Sequence, residues 1–258
     1  MKRIAGILGL VFVVSSGHAQ IHVSKLIIKA NQKYTFDESD IIVADTLIME
    51  DSSAIMLNRL RKENYLHTKV ALIGNYCTID GSGIHGNPGR PGRSGDSPVG
   101  PCKSGTNGTH GGSGLDGTAG VNLFLYLEKV TMKGSLTIDL HGGDGGKGGK
   151  GGEGGSGTSG TVHCKAGDGG LGGNAGHGAN GGNGGSLTIH CSENVKELLN
   201  KNLRTENYGG RFGKGGRGGY PGSAGLGPNR KNGKQGMPGV EGTDGKVGNN
   251  GNVIIVQN

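Results

Sequence analysis

The sequence predicts a mainly β, partly non-regular fold: a short N-terminal β-layer or solenoid base, a bundle of about six antiparallel polyglycine-II helices, and one short α-helix. Three observations predict it. Glycine supplies 59 of 258 residues and falls into six runs with a period of three. Short β-branched and aliphatic segments stand before and between the runs. Runs of similar length face one another across short turns, and two cysteines lie in those turns.

Residues 1–19 read as a secretory signal. Lys2 and Arg3 form a charged start, "IAGILGLVFVV" an apolar stretch, and Gly17-His18-Ala19 a small-residue cleavage site before Gln20. The apolar stretch is too short to span a bilayer. Removing it takes away two cations and no acid, so the formal charge falls from +7 to +5. The chain is therefore expected outside the cytoplasm, in the periplasm or at the outer membrane or cell surface. Hydrophobic residues make up 31%, too few for one conventional core through the whole chain.

Residues 20–82 form the β-rich base, with "KLIIKA", "DIIVADTLIMED", "SAIML", "KVALIG" and "YCTID" as strands. "NRLRKENYLH" reads as a loop or a single helical turn. Residues 83–251 are the glycine-rich bundle, with runs at 83–95, 105–120, 142–160, 167–185, 210–225 and 233–251. Strands at 121–141 and 186–191 and a helix at 192–203 return to the base, and residues 252–258 form a last strand. Ser192 stands at the helix N-cap position, and Val195, Leu198, Leu199 and Leu203 share one face.

Period-three glycine has three readings. A flexible linker needs no period. Collagen needs abundant proline and three chains, and only seven prolines are present. The third reading, an extended helix with three residues per turn, has no internal hydrogen bonds, so its polar groups must pair with neighbours. Neighbours approach only where side chains are missing. A Gly-Gly-X repeat, as in "HGGDGGKGGKGGEGGSG" (His141 to Gly157), clears two faces and suits an inner position. Asp144, Lys147, Lys150 and Glu153 then share the third face. Turns at 96–104, 161–166 and 226–232 make three glycine hairpins. Cys102 and Cys164 fall in hairpin tips and Cys77 and Cys191 in base strands, so Cys102–Cys164 and Cys77–Cys191 are the expected disulfides.

The runs resemble the polyglycine-II bundles of snow-flea antifreeze proteins and phage tail-fibre adhesin tips. With its signal ending "GHAQ" and the stretch "CTIDGSGIHGNPGRPG" (Cys77 to Gly92), the chain is similar to exported glycine-rich "collagen-like" proteins of Bacteroidota. The resemblance implies an envelope or surface protein. Some such proteins accompany outer-membrane barrels of the type 9 secretion and gliding machinery.

Motifs for catalysis do not assemble. "GSGIHG" is followed by Pro88 and more glycine rather than by the helix that a dinucleotide site needs. "GGSGLDGTA" (Gly111 to Ala119) matches a calcium-binding nonapeptide once, without the tandem copies such a site requires. Asn107-Gly108-Thr109 is a glycosylation sequon by pattern. His163-Cys164 and His190-Cys191 are sequence neighbours only. No catalytic residue, metal or cofactor is expected, and no transmembrane segment.

The stretch around "NYGGRFGKGGRGGYPG" is the candidate interaction surface, through Arg211, Phe212, Lys214, Arg217, Tyr220, Arg230, Lys231 and Lys234. An exported chain does not meet cytoplasmic RNA, so acidic glycans, lipid head groups or an acidic protein are the expected partners, and nucleic acid is not. The leading functional expectation is a non-enzymatic structural or interaction protein of the cell envelope, docking to an outer-membrane or surface complex. The alternative is an adhesin that binds polysaccharide through hairpin-tip loops or the basic aromatic stripe. Ice binding calls for a flat face of Thr, Ala and Ser, unlike the charged ridge of the third run.

Overall fold

The computed structural model describes residues 20–36 and 39–257. The expected signal segment lies outside the described residues. The strands are β1 (Gln20–Ile28), β2 (Lys33–Thr35), β3 (Ile41–Met49), β4 (Ala54–Met56), β5 (Glu63–Ile73), β6 (Cys77–Asp80), β7 (Asn122–Met132), β8 (Leu136–Asp139), β9 (Leu187–Cys191), β10 (Leu203–Glu206) and β11 (Val253–Gln257), with helix α1 (Glu193–Asn202) between β9 and β10. Odd-numbered strands form a six-stranded sheet in the order β1-β3-β5-β7-β9-β11, and even-numbered strands a five-stranded sheet in the order β10-β8-β6-β4-β2. Every pairing among the described residues is parallel.

This corrects the expected fold. The regular structure is two parallel sheets with one α-helix, not a small base under a bundle of antiparallel polyglycine helices. Apolar side chains decide it. Ile42, Leu66, Leu125 and Ile189 are in register on one sheet, and Ile55, Ile79 and Ile138 on the other; all are buried. Alternate residues face inward in the inner strands, as in Leu123, Leu125 and Leu127 of β7 and Leu187, Ile189 and Cys191 of β9. A sequence pattern too thin for one large core thus suffices for a narrow coil, because each turn stacks its few aliphatics on the next.

Local expectations also shift. The segment expected as a loop before "KVALIG" is strand from Glu63, and its buried Asn64 is held by accepting from the Asn58 N–H and donating to the Asn58 carbonyl. The helix stops one residue early because Leu203 is extended and pairs with Leu136. Ser192 holds the N-cap position, but its side chain makes no capping bond. Val195 and Leu199 are the buried residues of α1, which packs on β7 and β11.

The first two turns of the coil, β1–β2 and β3–β4, return to the next strand through short connections. The later returns, 81–121, 140–186 and 207–252, each carry a glycine hairpin. The hairpins contain neither α-helix nor strand, apart from a 3-10 turn at Pro228–Arg230. Their main chains continue the sheets. The first, third and fifth runs leave the even-numbered sheet as one layer: Gly86 donates to Asp144 O at 2.8 Å and Gly148 to Lys214 O at 2.8 Å. The second, fourth and sixth runs enter the odd-numbered sheet as the other layer, with Gly108 donating to Leu171 O and Gly172 to Met237 O. Within a layer the runs are parallel. The two layers are antiparallel to each other: the Gly112 N–H donates to Arg90 O and, three residues on, the Leu115 N–H donates to Asn87 O.

Candidate docking surface

Each triplet of an inner run must place three N–H groups. Two glycines donate across to neighbouring runs. The third N–H belongs to the X residue and faces outward. In the fourth and sixth runs a polar side chain one run away accepts it. Asn107 Oδ1 takes the Leu171 N–H at 2.8 Å, His110 Nδ1 takes Asn174, and Asp116 Oδ1 takes Asn180. One run further, Asn174, Asn180 and Asn183 take the N–H groups of Val240, Lys246 and Asn249. The X residues of this face are structural: they complete the main-chain bonding of the next run. Asn107 of the sequon is among them.

The opposite face begins the same way. His85 Nδ1 accepts the Asp144 N–H at 2.8 Å and Asp144 Oδ1 accepts the Arg211 N–H at 2.7 Å. Arg211 lies 67 residues after Asp144, the spacing that also pairs Leu136 with Leu203. The same register sets Lys147 beside Lys214 and Lys150 beside Arg217, and the Gly148→Lys214 O and Gly151→Arg217 O bonds fix the alignment. All four cations are exposed. Ammonium and guanidinium groups have no acceptor. These four side chains therefore cannot do for the next run what asparagine does on the other face.

Tyr208 and Tyr220 stand exposed toward the two ends of this cationic row, and Tyr208 stacks on His141 with ring centroids 5.4 Å apart. Burial raises the Tyr208 hydroxyl above its ordinary pKa, with Glu206 adding to the shift. A groove of about 430 Å³ borders the row, lined by Lys150, Glu153, Arg217, Tyr220, Pro238 and Glu241.

The eight residues expected to interact do not form one site. Arg211, Lys214, Arg217 and Tyr220 lie in the X column of the fifth run, on the cationic face. Phe212 stands in the column that glycine occupies at 209, 215 and 218, at the border with the sixth run, and is part-exposed. Arg230 and Lys231 are in the third hairpin tip. Lys234 lies on the other layer, its N–H donating to Asp168 Oδ1 at 2.7 Å. Lys147 and Lys150, read from sequence only as a ridge of their own run, complete the row. Aligning "HGGDGGKGGKGGE" (141–153) with "YGGRFGKGGRGGY" (208–220) by the strand pairing β8–β10 is the signal that finds them.

Cys102 and Cys164 form a disulfide that joins the first two tips, Cα–Cα 6.0 Å. The expected Cys77–Cys191 bond is corrected: both are free buried thiols, one in each sheet. Cys77 Sγ lies 3.3 Å from Glu50 O, and burial raises the Cys191 thiol pKa. His190 stacks on Tyr126 while Cys191 is buried, so the two make no dyad. Among the described residues, no group of three or more His, Cys, Asp or Glu side chains is placed to hold a metal ion, and no helix is long and apolar enough to cross a membrane. Comparison with family models, with curated proteins and with solved structures finds no match.

Proposed function

We propose that this chain is a non-enzymatic docking protein of the bacterial cell envelope, whose cationic face engages an acidic outer-membrane or surface protein. The observation that carries this reading is the row Lys147, Lys150, Lys214 and Arg217. On the opposite face, equivalent positions hold acceptors that the slab uses. Here they hold cationic side chains, which have no acceptor to offer the next run and repel one another. A flat face with a central row of cations, bounded by Asp144 and Glu153, on a stiff support suits rapid, oriented capture of an acidic partner. The signal-like first 19 residues fit an envelope location.

The test is co-purification from the native envelope, at low and high salt, with wild type and with Lys150→Glu/Arg217→Glu. A stoichiometric acidic partner, lost in roughly 0.5 M salt and weakened about tenfold or more by the double reversal, is expected. Undiminished capture by the variant would sink the reading. The groove beside Tyr220 favours a second reading, a polysaccharide site. Glycan-array binding that Tyr220→Ala abolishes would select it.

A further inference from the structure

The three hairpin tips sit together at the end of the slab remote from the sheets, and they are fastened to one another. The Cys102–Cys164 disulfide joins the first and second. The Cys102 N–H donates to Ser159 O at 2.8 Å. Between the second and third, the Gly160 N–H donates to Leu226 O at 2.9 Å, and the Ala166 N–H to Lys231 O at 3.0 Å. Lys231 Nζ reaches Val162 O at 3.5 Å.

Each tip presents one large aliphatic side chain to solvent: Val99 at 88% exposure, Val162 at 63% and Leu226 at 72%. Other apolar side chains are exposed along the faces of the runs, among them Leu115, Leu171 and Val240; what sets these three apart is that the fastened tips gather them at one end, next to a cluster of cations. Around them stand Lys103, Lys165, Arg230 and Lys231, all exposed. Two acids stand near: Asp168, committed to Lys165 at 3.1 Å and to the Lys234 N–H, and Asp96, exposed at the start of the first tip, so cations outnumber acids there.

We infer that this end of the molecule is a lipid-docking tip, which lays Val99, Val162 and Leu226 into the interfacial region of an anionic bilayer while the surrounding cations meet its head groups. Exposed aliphatics ringed by Lys and Arg are the chemistry of a surface-lying membrane contact. Size argues the same way. Three tips at roughly 5 Å spacing, two layers deep, give a footprint on the order of a few hundred Å². That falls short of the roughly 800 Å² per partner of a stable protein interface. A soluble acidic glycan would use the cations and leave the three aliphatics in water. The tips are also already ordered, so docking costs little additional loop entropy.

This proposal concerns the tips and is independent of the broad cationic face. The test uses the purified chain with vesicles of phosphatidylcholine alone or mixed three to one with phosphatidylglycerol. The chain has no tryptophan, so Leu226→Trp gives a single fluorescent reporter. Its emission is expected to shift to the blue with anionic vesicles only. Co-sedimentation should fall about tenfold or more in Val99→Asp/Val162→Asp and in Arg230→Glu/Lys231→Glu, both at exposed positions. The face variant Lys150→Glu/Arg217→Glu should sediment like wild type, which separates failure here from failure of the docking-face reading. An unshifted Leu226→Trp spectrum would overturn the proposal. So would equal binding to neutral vesicles, or binding to an acidic polysaccharide that the Val99→Asp/Val162→Asp variant retains.

Discussion

The coil and the slab stack the same chain at the same spacing by opposite means. In the coil, Ile55, Ile79 and Ile138 lie over one another and remove apolar surface from water. In the slab, the groups between runs are carbonyls and glycine N–H. At one height, hydrogen bonds cross all six runs: Gly242 to Gly216, Gly216 to Gly176, Gly176 to Gly149, Gly149 to Gly112 and Gly112 to Arg90, at 2.8–3.0 Å. The register passes unbroken from one region to the other. The spacing of 64 residues that pairs Leu123 with Leu187 also pairs Asn107 with Leu171. The difference teaches that the coil tolerates changes of shape and the slab does not. A core of side chains can repack; a core of main chain has nothing to move.

The sharpest way to break the comparison is a single methyl group. A Cβ at Gly149 would overlap the Arg90 carbonyl, which is main chain and cannot swing aside. Gly149→Ala should abolish cooperative folding of the slab. At Gly112 the nearest atom to a Cβ is Arg90 N at 3.2 Å, so Gly112→Ala should be tolerated with a lowered melting temperature. In the coil, Leu66→Ala removes far more volume yet should cost only about 2–5 kcal/mol and leave both regions folded. Calorimetry with amide exchange checks the order. If Gly149→Ala melts like Gly112→Ala, the slab is not close-packed main chain.

The period of three and the hairpin turns were legible because each is a local pattern, and the Cys102–Cys164 pairing because two of those turns each hold one cysteine. The doubled glycines at 142–157 also identified an inner run, and its neighbours on both sides are there. Beyond residue 82 the strands at 121–141, 186–191 and 252–258 were legible, but their parallel pairing into two sheets was not. These strands are four to eleven residues long and separated from their partners by whole hairpins, so no periodicity inside one window shows the pairing. β10 was hidden because "NLRTE" continues the apolar spacing of α1, and only Leu136 on another strand decides that Leu203 is extended. Phe124 and Tyr65, stacked at 4.8 Å, are 59 residues apart for the same reason. The cationic row failed likewise: Lys150 and Arg217 meet only through the register.

The disulfide sharpens the comparison at intermediate strength. It closes a loop with a sequence separation of 62 between two tips. Chain entropy for such a loop is worth about 4 kcal/mol. Cys102→Ser/Cys164→Ser should lower stability by up to that amount, and exchange should rise first at the tips and outer runs while β3, β5 and β7 stay protected. Uniform loss across both regions would mean that coil and slab unfold as one cooperative unit.

The smallest effect expected is electrostatic, and it also belongs to the slab. Asp168 is held below its ordinary pKa first by the Lys234 N–H, then by Lys165. A carboxylate with a depressed folded pKa stabilises the folded state above its unfolded value and loses that contribution as pH falls through the folded value. The window therefore opens below about pH 4. Asn at this position keeps an oxygen for the Lys234 N–H but has no charge for Lys165. Wild type should melt slightly above Asp168→Asn at neutral pH, and the two curves should converge as acid removes the charge. The coil has lowered carboxylates of its own, Asp45, Asp51 and Asp80; at Asp80 burial raises the pKa but Ser82 and Arg59 outweigh it. Asp168→Asn leaves those groups intact, so any acid sensitivity left in the variant reports on the coil. A constant gap between the two proteins down to about pH 2.5, well below the ordinary carboxylate range, would show that Asp168 acts through geometry alone.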